Sequence, residues 1–152
     1  MIYIFHGDDD FSAHEALAAL ATALGPEDVR APNITELDGT SFDLAKFGAA
    51  AMVVPFLADR RLVITRGLLG ALSRAGNSRR GRRGAGNSND ALSVAAGLPE
   101  LLGQMPHTTD AVFIDERLAR INPLLVAIES LGSAQVEVRE FPALRREALT
   151  RW

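Results

Sequence analysis

The chain has no cysteine. That absence excludes a disulfide scaffold, a thiolate metal site and a cysteine nucleophile, and it suits a reducing compartment. Lys46 is the only lysine, so nearly all positive charge is arginine. No apolar run reaches the roughly 18 residues that a membrane-spanning helix needs. The opening Met1-Ile-Tyr-Ile-Phe5 is too short for a signal peptide, is followed by acids, and has no small-residue cleavage site. A soluble cytoplasmic protein with no membrane partner is expected. His6, His14 and His107 lack zinc-like spacing, and no serine stands in a Gly-x-Ser-x-Gly elbow. No catalytic residue, metal site or cofactor is therefore expected from these patterns. A net charge of −3 predicts no general affinity for nucleic acid or anionic lipid.

What is present fits one folded domain: 152 residues, 47% of them hydrophobic. Short β-branched or aromatic runs alternate with helical patterns, the signature of βαβ units around a parallel sheet. The strand candidates are 2–6, 34–38, 61–66, 111–115 and 135–140. Ser12-x-x-Glu15 has the form of a capping box, and Phe11, Ala16, Leu17, Leu20 and Leu24 continue as a helical stripe that stops at Gly25-Pro26. A second helix is predicted from Phe42 to about Met52, with Phe42, Phe47 and Ala51 inward. Further helices are predicted over 91–104 and 122–131. The expected fold is α/β with five parallel strands, over residues 1–141. Residues 142–152 begin a helix whose Leu144, Leu149 and Trp152 have little left to pack on, so a following domain is expected.

In such a fold the turn after the first strand is where a phosphate loop surrounds an anion with backbone N–H groups. Here it reads Gly7-Asp8-Asp9-Asp10, with one glycine, no lysine and three carboxylates, which would repel phosphate. A helix-capping acidic turn and a Mg²⁺ site are the two readings of these residues. Val112-Phe-Ile-Asp115-Glu116 imitates the metal-positioning acids of an ATPase, but on the fourth candidate strand and without a lysine to hold a triphosphate. A metal- or nucleotide-dependent enzyme using Asp8 to Asp10 with Asp115 and Glu116 is one alternative. A phosphoreceiver would need an aspartate after the third strand and a lysine after the fifth, where Arg66-Gly67 and Phe141-Pro142 stand.

Two other segments stand out. Residues 75–90 are rich in Gly, Arg and Asn, with Gly-Asn-Ser twice, and a mobile surface loop is expected there. Arg79, Arg80, Arg82 and Arg83 have no aromatic between them for base stacking, which leaves salt-dependent phosphate contact as a second alternative function. The other segment is Val54-Pro55-Phe56-Leu57, between the second helix and third strand. Pro55 forces an extended turn, so Phe56 and Leu57 either pack inward or form an exposed apolar knob suited to a partner's pocket.

The sequence resembles the N-terminal domain of the delta subunit of the bacterial DNA polymerase III clamp loader, over essentially its whole length. The resemblance lies in Ile2-Tyr-Ile-Phe-His-Gly-Asp-Asp-Asp-Phe11, in Leu37-Asp38-Gly39, and in Pro55-Phe-Leu-Ala-Asp-Arg-Arg-Leu-Val-Ile-Thr-Arg66, in that order and without a phosphate loop. It implies a RecA-like, AAA+ three-layer domain with a degenerate phosphate loop at Gly7 to Asp10 and no ATP hydrolysis of its own. It further implies a subunit of the polymerase III holoenzyme that binds and helps open the sliding clamp, the beta subunit, with Phe56 and Leu57 entering a clamp pocket beside Val54 and Pro55. DNA is then an indirect partner, and other loader subunits are bound through domains beyond this chain. The arginine loop is longer and more basic than the resemblance leads one to expect.

Overall fold

The computed structural model describes residues 1–77, 88–119 and 122–143. Five strands form one sheet: β1 (Ile2–Gly7), β2 (Ile34–Asp38), β3 (Arg61–Arg66), β4 (Thr109–Asp115) and β5 (Val136–Phe141). All neighbours are parallel, in the order β2-β3-β4-β1-β5. A parallel sheet is covered on both faces, and so its inner strands read as unbroken apolar runs. Leu62, Val63 and Ile64 of β3 and Ala111, Val112 and Phe113 of β4 are accordingly buried almost completely.

Alternation along each strand divides those residues between two apolar clusters. Ile2, Ile4, Val63, Ala111, Phe113 and Val136 point to one face. There they meet α3 (Leu44–Ala51), α4 (Leu68–Asn77), α5 (Ser88–Gly103) and α6 (Pro123–Glu129), through residues such as Phe47, Leu69, Leu98 and Ile128. Phe5, Leu62, Ile64 and Val112 point the other way and meet Leu17 of α1 (Asp10–Thr22). The result is three layers, with aromatic contacts filling both interfaces: Phe47 stacks on Phe113 at 5.9 Å, and Phe5 meets the edge of Phe141 at 5.5 Å. A one-turn helix, α2 (Glu27–Arg30), and a 3₁₀ turn at Ala31–Asn33 lead into β2.

Several expectations change. The cap of α1 is Asp9, not Ser12: its carboxylate accepts from the Ser12 amide and hydroxyl, so the helix starts one turn earlier than the capping box implied. Phe11 then falls on the outer side of the first turn and is 72% exposed rather than part of the inward stripe. Phe42 is half-buried but precedes α3, which starts after Asp43 caps it. Asn122 likewise caps α6 through the Leu124 and Leu125 amides instead of opening the helix. Helix α4 has no counterpart among the predicted helices, and it carries residues 75–77 of the expected loop, while α5 takes 88–90. The rest of that loop, with Arg79, Arg80, Arg82 and Arg83, and the C-terminal segment from 144 lie outside the described residues.

Candidate functional site

The order of strands sets where a ligand would ordinarily bind. In an open parallel sheet that place is the crevice beyond the carboxyl ends of the strands, where the connections part to opposite faces. Here β1 sends its connection through α1 on one face, while β4 on its flank connects through α6 on the other. The turn Gly7 to Asp10 stands at that point. Its backbone N–H groups are turned to the chain's own oxygens: Asp8 and Asp9 both donate to the Phe141 carbonyl, at 2.9 and 3.1 Å. The Ser12 amide and hydroxyl, and more weakly the Phe11 amide, bond the Asp9 carboxylate and hold it below the usual carboxylate range. Asp8 faces Arg117 at 3.8 Å across the surface. Gly7 has a φ of 141°, and a Cβ there would lie 2.0 Å from the Phe141 carbonyl oxygen. The turn is therefore closed by β5 at the position where a phosphate loop opens toward an anion.

Asp115 ends β4 nearby and is also committed. Its two oxygens accept from the Leu69 and Gly70 amides at 3.2 and 2.8 Å, capping α4 from the strand beside β3. Burial drives its carboxyl up to about 6, against those two bonds and the Arg74 guanidinium, which lower it. Glu116 is exposed. No group of three or more His, Asp or Glu among the described residues could hold a metal ion. His14 and His107 are on the surface, far apart in sequence and on different elements.

The opposite end of the sheet differs in character. The segment from Met52 to Arg60 leaves α3 and enters β3 at the amino ends of the strands. Eight large apolar side chains are exposed among the described residues, and five of them are Met52, Val53, Val54, Phe56 and Leu57. Val54 is 81% exposed, Phe56 61% and Leu57 78%, with Pro55 half-buried between them. Isolated exposed apolar residues are ordinary; a contiguous set on one turn is not. The segment is nevertheless tied down. Thr109 donates its hydroxyl to the Ala51 carbonyl at 2.8 Å, and the Arg60 guanidinium grips the buried Asp110 carboxylate with both arms. The Met1 amine completes that cluster, 3.1 Å from Asp110. At the tip, the fully buried Asn33 exchanges two hydrogen bonds with the Phe56 backbone, at 2.6 and 2.7 Å. Leu57 adopts a φ of 53°, the one positive value outside glycine among the described residues. That conformation costs a side-chain-bearing residue roughly 1 to 2 kcal/mol.

Comparison with solved structures bears on the fold that holds this tip. The Bacillus subtilis DNA clamp loader delta protein superposes with a TM-score of 0.72 over 99% of this chain, at 17% identity. This is a clamp-loader fold. A DNA polymerase III gamma subunit-related protein from Thermotoga maritima follows with a TM-score of 0.55 over 97% of the chain, at 14% identity. The chain spans 40% of the first protein's length and 43% of the second's. No protein-family model and no curated protein matches the sequence.

Within the clamp-loader fold the sequence-derived sites fall into two separate groups. Gly7, Asp8, Asp9 and Asp10 lie at the carboxyl edge of the sheet with Asp115, and Val54, Pro55, Phe56 and Leu57 lie at the amino edge. The basic pair after the tip has inward duties: Arg60 holds Asp110, and the buried Arg61 reaches the Thr35 hydroxyl at 3.0 Å, its charge disfavoured by burial. Sequence reasoning missed Asn33, Thr109 and Asp110. Each joins positions 23 to 58 residues apart, and side-chain links of that span leave no periodic trace in sequence.

Proposed function

We propose that this chain is the clamp-binding domain of a clamp loader, of delta type, and that Val54, Pro55, Phe56 and Leu57 are its contact with a DNA sliding clamp. The observation that supports this best is the cluster of exposed apolar side chains on one anchored turn, with Leu57 in a strained conformation at its end. Strain of this kind persists where surrounding structure imposes it, and it gathers at functional positions. Burying Phe56 and Leu57 in an apolar pocket supplies roughly 3 to 6 kcal/mol before ordering costs, which is a hundredfold to ten-thousandfold in affinity.

The mechanism needs no chemistry in this domain. The tip binds one face of the clamp, and it favours an opened interface to the extent that it binds the open form better than the closed one. Energy enters through nucleotide bound by partner subunits, because at the turn Gly7 to Asp10 the Asp8 and Asp9 amides donate to the Phe141 carbonyl and the Ser12 amide donates to the Asp9 carboxylate. The setting is DNA replication in the cytoplasm, within a DNA polymerase III assembly. Calorimetric titration with the sliding clamp encoded by the same genome tests the proposal. The expected result is saturable binding that Phe56→Ala with Leu57→Ala weakens at least a hundredfold; equal affinity of the two proteins refutes the assignment.

A further inference from the structure

We infer that Asn33 is a positioning residue that holds the apolar tip in its binding shape before a partner arrives, an inference resting on the clamp-binding role proposed for that tip. Asn33 is 0% exposed, yet what it organises is one of the most exposed turns of the molecule. Its Oδ1 accepts the Phe56 N–H at 2.7 Å, while its Nδ2 donates to the Phe56 carbonyl at 2.6 Å and to the Val29 carbonyl at 2.7 Å. Both amide hydrogens are thereby used. The opposite amide orientation would set oxygen against two carbonyl oxygens, so only one assignment of the side chain satisfies these partners.

No other residue type reproduces the arrangement. Aspartate would present oxygen to both carbonyls, glutamine is a methylene too long, and leucine has the shape without any donor or acceptor. The side chain acts as a rung of sheet for a segment that has no strand partner, pairing the Phe56 N–H and C=O at once. Asn33 is itself fixed, because it closes the 3₁₀ turn that feeds β2, and β2 is locked in register with β3 from Ile34 and Leu62 onward. Phe56 is thus referred to the sheet on both sides, through Asn33 and through the chain leading to Arg61. With its backbone held, Leu57 follows at a φ of 53° and the two side chains stand outward. A tip already ordered avoids the loss of freedom that binding would otherwise impose, which for two such side chains and their turn amounts to about tenfold in affinity.

The test is a double-mutant cycle in the 152-residue chain, titrated with the sliding clamp of the same genome. Asn33→Ala weakens binding about tenfold when Phe56 and Leu57 are present and changes nothing when both are already alanine. Equal losses in the two backgrounds, or no loss in either, overturn the inference. Unchanged affinity of the Phe56→Ala, Leu57→Ala protein instead overturns the clamp-binding role itself, so the two failures are distinct. Hydrogen exchange on the native chain covers the case in which Asn33→Ala does not fold. The Phe56 amide exchanges at least tenfold more slowly than in an unstructured peptide if Asn33 holds the tip, and exchange at the unstructured rate overturns the positioning role whatever the clamp does.

Discussion

Leu57 and Asp115 are two residues at which the molecule carries an internal cost, and each makes a measurable difference. Glycine accepts the Leu57 backbone conformation without strain but brings more freedom to the unfolded chain. Leu57→Gly should therefore leave stability unchanged or raise it by up to about 1 kcal/mol in a urea titration, while weakening clamp binding. A clear loss of stability would show that the tip is not strained. Asp115 titrates near 6 in the fold against an ordinary value of 3.8. Between those values the folded chain holds a proton that the unfolded chain has released, so its contribution to stability is greatest below pH 4 and falls as pH rises through 6. The full change is on the order of 3 kcal/mol at most. Urea unfolding from pH 4 to 7 checks this: the native protein should lose stability relative to Asp115→Asn across that window, and parallel curves would contradict it. Residue roles were the least legible part of the sequence. Phe56 and Leu57 stand out in the sequence, but their chemistry alone leaves core and surface both open. Asn33, which shapes the turn, gave no signal, since nothing local marks a buried amide whose partner lies 23 positions away.

At the level of elements, legibility followed how local each signal is. The strands at 34–38 and 61–66 have the expected bounds, and the other three differ by one or two residues, because alternation and β-branched composition act within a few positions. Helix α4 is not marked in the sequence because its cap is not adjacent. Asp115 supplies it from 45 and 46 residues away, so Gly67-Leu-Leu-Gly lacks the usual polar residue before a helix. The junction of β1 and α1 is the element that β5 closes, through the Asp8 and Asp9 amides on the Phe141 carbonyl. Gly7→Ala would drive a methyl group into the Phe141 carbonyl at a φ that alanine avoids, separating β5 from the turn. The expected destabilisation is on the order of 3 kcal/mol or more, read by chemical denaturation. A change under about 0.5 kcal/mol, the range of ordinary surface substitutions, would mean that the turn opens readily and is not sealed by β5.

For the whole molecule, the two ends of the sheet differ in what they leave exposed. The carboxyl edge, where this architecture ordinarily holds a ligand, is closed by Phe141 and capped by Asp9, and five of the eight exposed large apolar side chains among the described residues lie on the turn at the amino edge. Saturating Mg²⁺ and ATP should consequently leave the melting temperature of the chain unchanged, whereas a ligand present at a hundred times its dissociation constant would add about 2.7 kcal/mol. A rise on that scale would restore the nucleotide-dependent alternative. The α/β class and the five parallel strands were legible because they follow from the rhythm of apolar runs. The exposure of Phe56 and Leu57 was not, since it depends on which side chains remain uncovered once the layers close. Hydrogen-exchange protection measured across the chain, with and without the sliding clamp, tests the central claim most directly. Protection should appear over residues 52 to 60 and leave Gly7 to Phe11 unchanged; binding that protects Gly7 to Phe11, or that leaves 52 to 60 untouched, would contradict it.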